Sequence, residues 1–218
     1  MTSVLRKALF FIVGLLIIDQ ILKLYIKTHF LLGEEVNMIG DWFRLNFIEN
    51  EGMAFGLKWK GVFGKYVLSI FRIIAATAIF WYLSRIIREK KHPLYIFSIA
   101  LIFAGAAGNI IDSMFYGLIF DSSSIYGSGA DATSLFGGSY AGFLQGRVVD
   151  MLYFPMFHGH YPSWFPFNAG KEFMFFRPVF NLADSYISIG VVMILVFQRK
   201  MFPKKQETVT DSTLVEKQ

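Results

Sequence analysis

Four apolar segments dominate the sequence, and each is near the ~20 residues that a helix needs to cross the hydrocarbon core of a bilayer. They cover residues 8–25, 66–87, 93–115 and 179–197. Inside a bilayer every backbone N–H and C=O must be satisfied internally, so segments of this length form helices. A hydrophobic fraction of 55% agrees with lipid as the natural solvent. The sequence therefore predicts an all-α membrane protein with four transmembrane helices.

Basic residues collect at the ends of these segments and set the orientation. Loops rich in Lys and Arg stay in the cytoplasm. All clusters satisfy this rule if both termini are cytoplasmic, which places residues 27–65 and 116–178 outside. We expect one domain over residues 1–203 and a disordered, polar, cytoplasmic tail over 204–218. The clusters are Arg6 and Lys7; Arg85, Arg88, Lys90 and Lys91; and Arg199, Lys200, Lys204 and Lys205.

The two outer segments differ in character. Residues 41–47 alternate loosely between apolar and polar, and Asn50-Glu51-Gly52 is a turn signal. The first segment therefore predicts a small extracytoplasmic β-sheet. The second is a long loop, rich in Gly and Ser over 122–142 and in aromatic residues over 153–167. Such aromatic density suits the headgroup interface, and our hypothesis is that this stretch lies on the membrane and helps to gate a cleft.

Several kinds of chemistry are excluded by what the sequence lacks. Without cysteine there is no disulfide, thiolate metal site or Cys nucleophile. There is no His-Glu-x-x-His or Gly-x-Ser-x-Gly motif, and His158-Gly159-His160 has no third ligand at a recognisable spacing. We therefore expect neither a metal nor a cofactor. The net charge of +5 follows from the basic clusters at the segment ends and does not call for a nucleic-acid partner.

Polar residues inside the apolar segments converge on one depth. At a rise of 1.5 Å per residue, five of them fall in the outer half of a core ~30 Å thick. Ionisable groups at such depth are costly and usually face a bundle interior or a hydrated cavity. The shared level predicts one polar site. The five residues are Asp19, Arg72, Asn109, Asp112 and Asp184.

Each of these side chains also has a purely structural interpretation. Asp19 and Lys23 are i,i+4, so they form either a structural ion pair or part of the site. Asn109 is either a polar link between helices or a site residue. Arg72 either snorkels outward to the interface or belongs to the site. Lys27 we expect to snorkel to the interface. Asp184 differs, because its own helix has no basic residue close enough to pair with it, and this favours a functional role.

Two carboxylates, Asp150 and Asp184, offer a chemistry that needs no metal. A close pair shares one proton, so the ionised member can take a proton from water while the neutral member polarises a carbonyl. That arrangement suffices for amide hydrolysis. From the residues alone, a hydrolase, a proton-coupled transporter and a non-enzymatic membrane scaffold all stay open.

Five short motifs occur in order on the predicted helices and outer loops. They are Asp19-Gln20-Ile21-Leu22-Lys23, Asn50-Glu51-Gly52-Met53-Ala54-Phe55-Gly56, Gly108-Asn109-Ile110-Ile111-Asp112, Gly146-Arg147-Val148-Val149-Asp150 and Phe180-Asn181-Leu182-Ala183-Asp184-Ser185. Each motif alone is a weak signal, but their order is a strong one. Together they resemble the bacterial lipoprotein signal peptidases, the type II signal peptidases, over most of the chain.

The resemblance implies a specific activity. Family members are four-helix aspartyl endopeptidases of the bacterial inner membrane, with the active site at the outer face. They remove the signal peptide from diacylglyceryl-modified prolipoproteins, cutting before the lipidated cysteine. By resemblance, Asp150 and Asp184 are the catalytic pair of a monomer that contacts its substrate and membrane lipids. The residues implied to line the substrate site are Asp19, Lys23, Asn50, Gly52, Ala54, Phe55, Gly56, Asn109, Asp112, Asn181, Ala183 and Ser185.

One departure from the family pattern follows the Gly-Asn motif. The family usually has Arg after the aspartate of that motif, and this chain has Ser113. The function of that Arg is then lost or supplied elsewhere, and Arg147 and Arg72 are candidates.

A second departure is an insertion over about residues 118–147, which creates a rival for Asp150. Asp121 has the family's usual spacing from Asn109 but runs into Ser122-Ser123-Ser124. Asp150 keeps apolar residues on both sides, over Val148–Leu152. We therefore predict that Asp150 is the partner of Asp184.

Overall fold

A computed structural model of the protein describes residues 3–51, 62–126, 133–134, 136, 138–160, 162–164, 170–175 and 178–202. The helices are α1 (Ser3–His29), α2 (Val62–Arg88), α3 (Pro93–Ile111), the short α4 (Gly117–Ile119) and α5 (Leu182–Met201). The strands are β1 (Glu35–Ile39), β2 (Phe43–Asn50), β3 (Val148–Tyr153), β4 (Phe157–His160), β5 (Glu172–Phe175) and β6 (Val179–Phe180). A π-helical turn, Asp112–Tyr116, joins α3 to α4. The polar tail over 204–218 lies outside the described residues.

The predicted four-helix architecture is confirmed. Four helices of the described chain are long and apolar enough, by length and composition, to cross a membrane. The first and second extend beyond the predicted apolar segments, and the third continues through the π-helical turn to Ile119. These helices therefore include polar residues beyond their hydrophobic stretches.

The predicted start of the fourth span is wrong. We expected a helix from residue 179, but Val179–Phe180 pairs with β3 as strand β6. Asn181 then caps α5, with its side chain accepting a hydrogen bond from the backbone N–H of Asp184. A short apolar run does not distinguish a strand from a helix, and the Asn cap marks the change.

Helix α3 lies at the centre of the bundle and packs against α1, α2 and α5. Its close approach to α5 depends on glycine on both helices. A Cβ atom at Gly105 would lie 2.2 Å from the carbonyl oxygen of Ala183, and one at Gly190 would lie 2.6 Å from that of Ser98. Small residues allow such contact between membrane helices. The result places the outer end of α3 beside the first turn of α5.

The predicted small sheet is present, and it includes strands from both outer segments. Its order is β1-β2-β3-β6, and all its pairs are antiparallel. Residues Val148–Leu152 of β3 are buried, as their nearly continuous apolar run requires. A second sheet, in which β4 from the aromatic stretch pairs with β5 just beyond it, was not predicted. The four-stranded sheet carries Asn50 and Asp150 on neighbouring strands.

Lys27 does not snorkel to the interface, as we had expected, but is buried in an ion pair with Glu49 of β2. Ser123 accepts a hydrogen bond from Lys27 at 2.9 Å and donates one to Glu49 at 2.8 Å. Arg147 donates to the second carboxylate oxygen of Glu49 at 2.9 Å. Burial tends to raise the pKa of Glu49, but these donors outweigh it and hold the pKa below its ordinary value. This polar cluster anchors the insertion to α1 and β2.

Glu49→Gln is expected to destabilise the fold by about 3–5 kcal/mol, because it leaves the Lys27 ammonium buried without its counter-charge. Thermal unfolding of the purified protein in detergent measures the effect. Glu35→Gln is the matched control, since Glu35 pairs with Arg44 near the surface, where the loss of an ion pair has little effect on stability. Equal unfolding temperatures for the two variants would contradict the buried-pair interpretation.

Candidate active site

Asp184 occupies the first turn of α5, where the backbone is prepared for a negative charge. Its backbone N–H donates to the side chain of Asn181 at 3.0 Å, and its Oδ2 accepts from the backbone N–H of Asn181 at 3.4 Å. This reciprocal capping box satisfies two backbone N–H groups at the start of α5. Asp184, which the sequence places inside an apolar segment, therefore lies at the terminus of a helix rather than several residues within one.

Asp150 lies on β3 and is only 3% exposed. Its two carboxylate oxygens accept hydrogen bonds from different amides: Asn181 Nδ2 at 2.6 Å and Asn50 Nδ2 at 3.1 Å. Asn181 therefore contacts both aspartates, through its Nδ2 to Asp150 and through its backbone to Asp184. This bridge brings the two predicted carboxylates into one site.

The environments of the two carboxylates are unequal. Burial, and then the nearby charge of Asp184, raise the pKa of Asp150 to about 7, against the opposing hydrogen bonds from Asn50 and Asn181. Asp184 is half-buried, at a helix N-terminus. Carboxyl groups whose surroundings separate their proton affinities are suited to acid and base roles. Near neutral pH the arrangement can hold one proton on Asp150.

A buried charge cluster lies directly behind Asp184. Lys23 on α1 forms ion pairs with Asp19 at 3.0 Å and with Asp112 at 2.9 Å, and all three side chains are at most 1% exposed. The Lys23 ammonium also donates to Asn109 Oδ1 at 2.9 Å, and Asn109 Nδ2 donates to Asp184 Oδ1 at 2.8 Å. The predicted convergence of these polar residues is thus confirmed, and their contacts link α1, α3 and α5.

Backbone contacts extend the same network into β3 and α5. Asp19 Oδ1 accepts from the backbone N–H of Ala183 at 3.0 Å, and Asp112 Oδ2 accepts from that of Val149 at 3.3 Å. These bonds fix the positions next to Asp184 and Asp150. Ser185 donates to the Asn181 carbonyl at 3.0 Å and completes the first turn of α5.

Gln20 is a site-supporting residue that the sequence analysis missed. Its amide donates to Asp19 at 3.1 Å and to Asp112 at 3.0 Å, and its carbonyl oxygen accepts from the Tyr116 hydroxyl at 3.2 Å. The available signal was its position beside Asp19 in the first motif, but Asp112, its second partner, is 92 residues away in the sequence. Local spacing cannot reveal such contacts.

Asp121 makes its contacts outside the network around Asp184. It accepts a hydrogen bond from the backbone N–H of Ser134 within the insertion, and its charge acts on Lys27 of the anchoring cluster. Within the described part of the chain, Asp121 makes no hydrogen bond to Asp184 or to Asn181. Asp150 is the carboxylate that shares Asn181 with Asp184.

Two arginines flank the site from different sides. Arg72 on α2 donates to Ser113 Oγ at 3.2 Å, at the position where the family pattern has Arg. Arg147 pairs instead with Glu49 at 2.9 Å and with Glu51 at 3.4 Å. Of the two candidates, Arg72 approaches the Gly-Asn motif and Arg147 belongs to the anchoring cluster.

A cavity of about 550 Å³ opens beside Asp150, a size within the range of ligand sites. Its wall combines apolar side chains with a charged rim. Gly52, Ala54, Phe55 and Gly56 follow this rim in sequence and lie outside the described residues, as do the side chains of His158 and His160. Among the described residues, no group of three or more His, Cys, Asp and Glu side chains is arranged to hold a metal. The cavity is lined by Leu32, Ile48, Glu49, Asn50, Glu51, Arg147, Asp150 and Val179.

Comparison with known proteins places these features in context. A family model described as Signal peptidase (SPase) II matches residues 11–199. The chain is 47% identical over 188 residues to a Lipoprotein signal peptidase of Porphyromonas gingivalis, covering 85% of this chain and 79% of that relative. It is 35% identical over 208 residues to one of Amoebophilus asiaticus, covering 92% and 83% of the two chains. A bacterial membrane enzyme solved by the in meso method at 1.9 Å shares the fold, with a TM-score of 0.57, 24% identity and coverage of 90% and 94%.

Proposed function

The chain belongs to the signal peptidase II family, and on that premise we propose that it cleaves prolipoproteins with an aspartate dyad formed by Asp150 and Asp184. Membership of the family makes it a membrane-bound peptidase that removes prolipoprotein signal peptides. The observation that carries the dyad is the bridge at Asn181, which contacts both aspartates. Two carboxylates held by one asparagine are placed to share a proton.

In the proposed mechanism the two aspartates have different roles. Asp184, at the N-terminus of α5, acts as the general base and takes a proton from the attacking water. Asp150, the buried carboxyl with the raised pKa, donates a hydrogen bond to the scissile carbonyl and protonates its oxygen as the tetrahedral intermediate forms. When the C–N bond breaks, the proton on Asp184 passes to the leaving amine and Asp150 regains its own. No covalent intermediate is needed.

The substrate is a prolipoprotein whose cysteine carries a diacylglyceryl group, cut on the amino side of that cysteine. The site lies at the outer face of the bacterial inner membrane, at the start of α5 and beside the four-stranded sheet. The acyl chains of the substrate therefore remain in the lipid during cleavage. Asn50, Asn109, Asn181, Ala183 and Ser185 shape the site, with the buried Asp19, Lys23 and Asp112 behind it. The segment containing Gly52, Ala54, Phe55 and Gly56 contacts substrate. The enzyme acts as a monomer, with no cofactor.

A synthetic prolipopeptide tests this function. Purified protein in detergent is expected to cut a diacylglyceryl-modified peptide once, before the modified cysteine, as located by mass spectrometry. The same peptide without the lipid is expected to be cleaved at least about tenfold more slowly, because the binding energy between the enzyme and the acyl chains is lost. Cleavage elsewhere in the peptide, or equal rates for both peptides, would overturn the proposal.

The cleavage rate is expected to fall as pH rises above about 7, because Asp150 then loses the proton that the dyad requires. It is also expected to fall in acid, where the second carboxylate becomes protonated. The apparent midpoints belong to the pair rather than to one residue. A pH–rate profile of kcat/KM measures both limbs, and a rate that rises steadily through pH 9 would contradict a neutral Asp150.

A further inference from the structure

Arg72 is a cation on a helix that can span the membrane, and none of the proposed catalytic steps uses its charge. It lies on α2 and is half-buried. A guanidinium in a membrane helix is costly and usually serves a partner or a pathway. Within the described residues no carboxylate lies at ion-pair distance from Arg72, yet its charge interacts with Asp184, Asp112 and Asp150, in decreasing order.

A hydrogen-bonded chain connects this arginine to the dyad. The Arg72 guanidinium donates to Ser113 Oγ at 3.2 Å, and Ser113 Oγ donates to the Asn109 carbonyl at 3.0 Å. Asn109 in turn donates its side-chain amide to Asp184 at 2.8 Å. Ser113 is 2% exposed and lies in the π-helical turn, a local distortion that is frequent at functional sites. Arg72 is therefore held in a defined place rather than directed toward lipid headgroups.

The charges around the dyad leave room for a second cation. The buried cluster contains two carboxyl groups, Asp19 and Asp112, but only one ammonium group, that of Lys23. The dyad adds two more carboxyl groups beside it. Charges separated by low-dielectric protein interact more strongly than in water, so a nearby guanidinium stabilises the singly ionised dyad.

We propose that Arg72 is a positioning residue of the peptidase, held by Ser113, whose charge keeps the dyad singly ionised at neutral pH. The proposal rests on the proposed function. Among the described residues, the charged groups around the dyad are then Asp19 and Lys23 from α1, Arg72 from α2, Asp112 from the π-helical turn, and Glu49, Glu51 and Arg147 on the rim of the cavity beside Asp150. Asp150 and Asp184 are linked through Asn181. Loss of the guanidinium makes protonation of the second carboxylate easier, so activity in acid is lost at a higher pH.

The test is the pH–rate profile of kcat/KM on the diacylated prolipopeptide. In Arg72→Gln, the acid limb is expected to move up by about one pH unit, with the rate at neutral pH falling about tenfold. Arg72→Lys keeps the charge and is expected to leave the acid limb within a few tenths of a unit. Arg85→Gln, on the same helix but exposed and paired with Glu89, is the matched control and is expected to change nothing.

A lower rate in Arg72→Gln with an unmoved acid limb would overturn the proposal and leave Arg72 a merely structural residue. If that variant fails to fold, Ser113→Ala decides. It removes the hydroxyl that accepts from Arg72 and donates to the Asn109 carbonyl, so the guanidinium is no longer held beside the dyad and the acid limb is expected to move in the same direction. An unmoved limb there also overturns the proposal. Absence of cleavage by the unaltered protein is a different result, because it rejects the proposed function itself.

Discussion

Asp184→Asn is expected to lower the cleavage rate by about 1,000-fold while the protein stays folded, because an amide cannot take the proton from water. The isosteric Asn can still accept the hydrogen bond from Asn109 and can still occupy the first turn of α5. The measurement is kcat on the diacylated prolipopeptide, with thermal unfolding as the check on folding.

Ser185→Ala is the control for Asp184→Asn. Ser185 lies on the same helical turn and donates only to the Asn181 carbonyl through its hydroxyl. Its loss is expected to change kcat by less than about tenfold, since a single neutral hydrogen bond contributes about 0.5–1.5 kcal/mol. Asp184→Asn with kcat within tenfold of the unaltered protein would remove Asp184 from the mechanism.

Lys23→Met is expected to destabilise the protein by about 3–5 kcal/mol, because Asp19 and Asp112 then share a buried site without a cation. Thermal unfolding in detergent measures it. Lys91→Met is the control, since the Lys91–Glu89 pair is exposed at 3.4 Å and its loss is expected to change stability little.

The cause of this destabilisation can be separated from lost packing. Adding Asp112→Asn to Lys23→Met removes one of the two uncompensated charges and is expected to restore part of the unfolding temperature. A double variant less stable than Lys23→Met alone would show that the carboxylates are not the problem. Lys23→Met with the unfolding temperature of the unaltered protein would contradict the buried-charge account directly.

The helices and the grouping of their polar residues could be predicted because the signals are local. A single apolar segment of about twenty residues crosses lipid as a helix, and the helical rise then predicts a depth for each polar residue. Asp19 and Lys23 share a face by their spacing, and their ion pair is observed at 3.0 Å. Asn109 and Asp112 lie on another segment and were assigned to the same cluster because their predicted depth matches that of Asp19. Their contacts with Lys23 are observed.

The contacts that could not be predicted are those between distant segments. Lys27 looks like an interfacial lysine until Glu49 and Ser123 arrive from β2 and the insertion. The start of α5 was placed too early because an apolar run gives no sign of strand pairing with β3. The place of Asp150 depends on the pairing of β2 with β3, which brings Asn50 to its carboxylate.

The central claim is that Asp150 and Asp184 form one proton-sharing pair, with Asp121 outside it. The most direct test compares Asp150→Asn and Asp121→Asn, measured side by side on the diacylated prolipopeptide. Asp150→Asn is expected to lose about 1,000-fold in kcat, whereas Asp121→Asn, whose carboxylate contacts the insertion, retains the rate within about tenfold. Full activity in Asp150→Asn together with loss in Asp121→Asn would contradict the account.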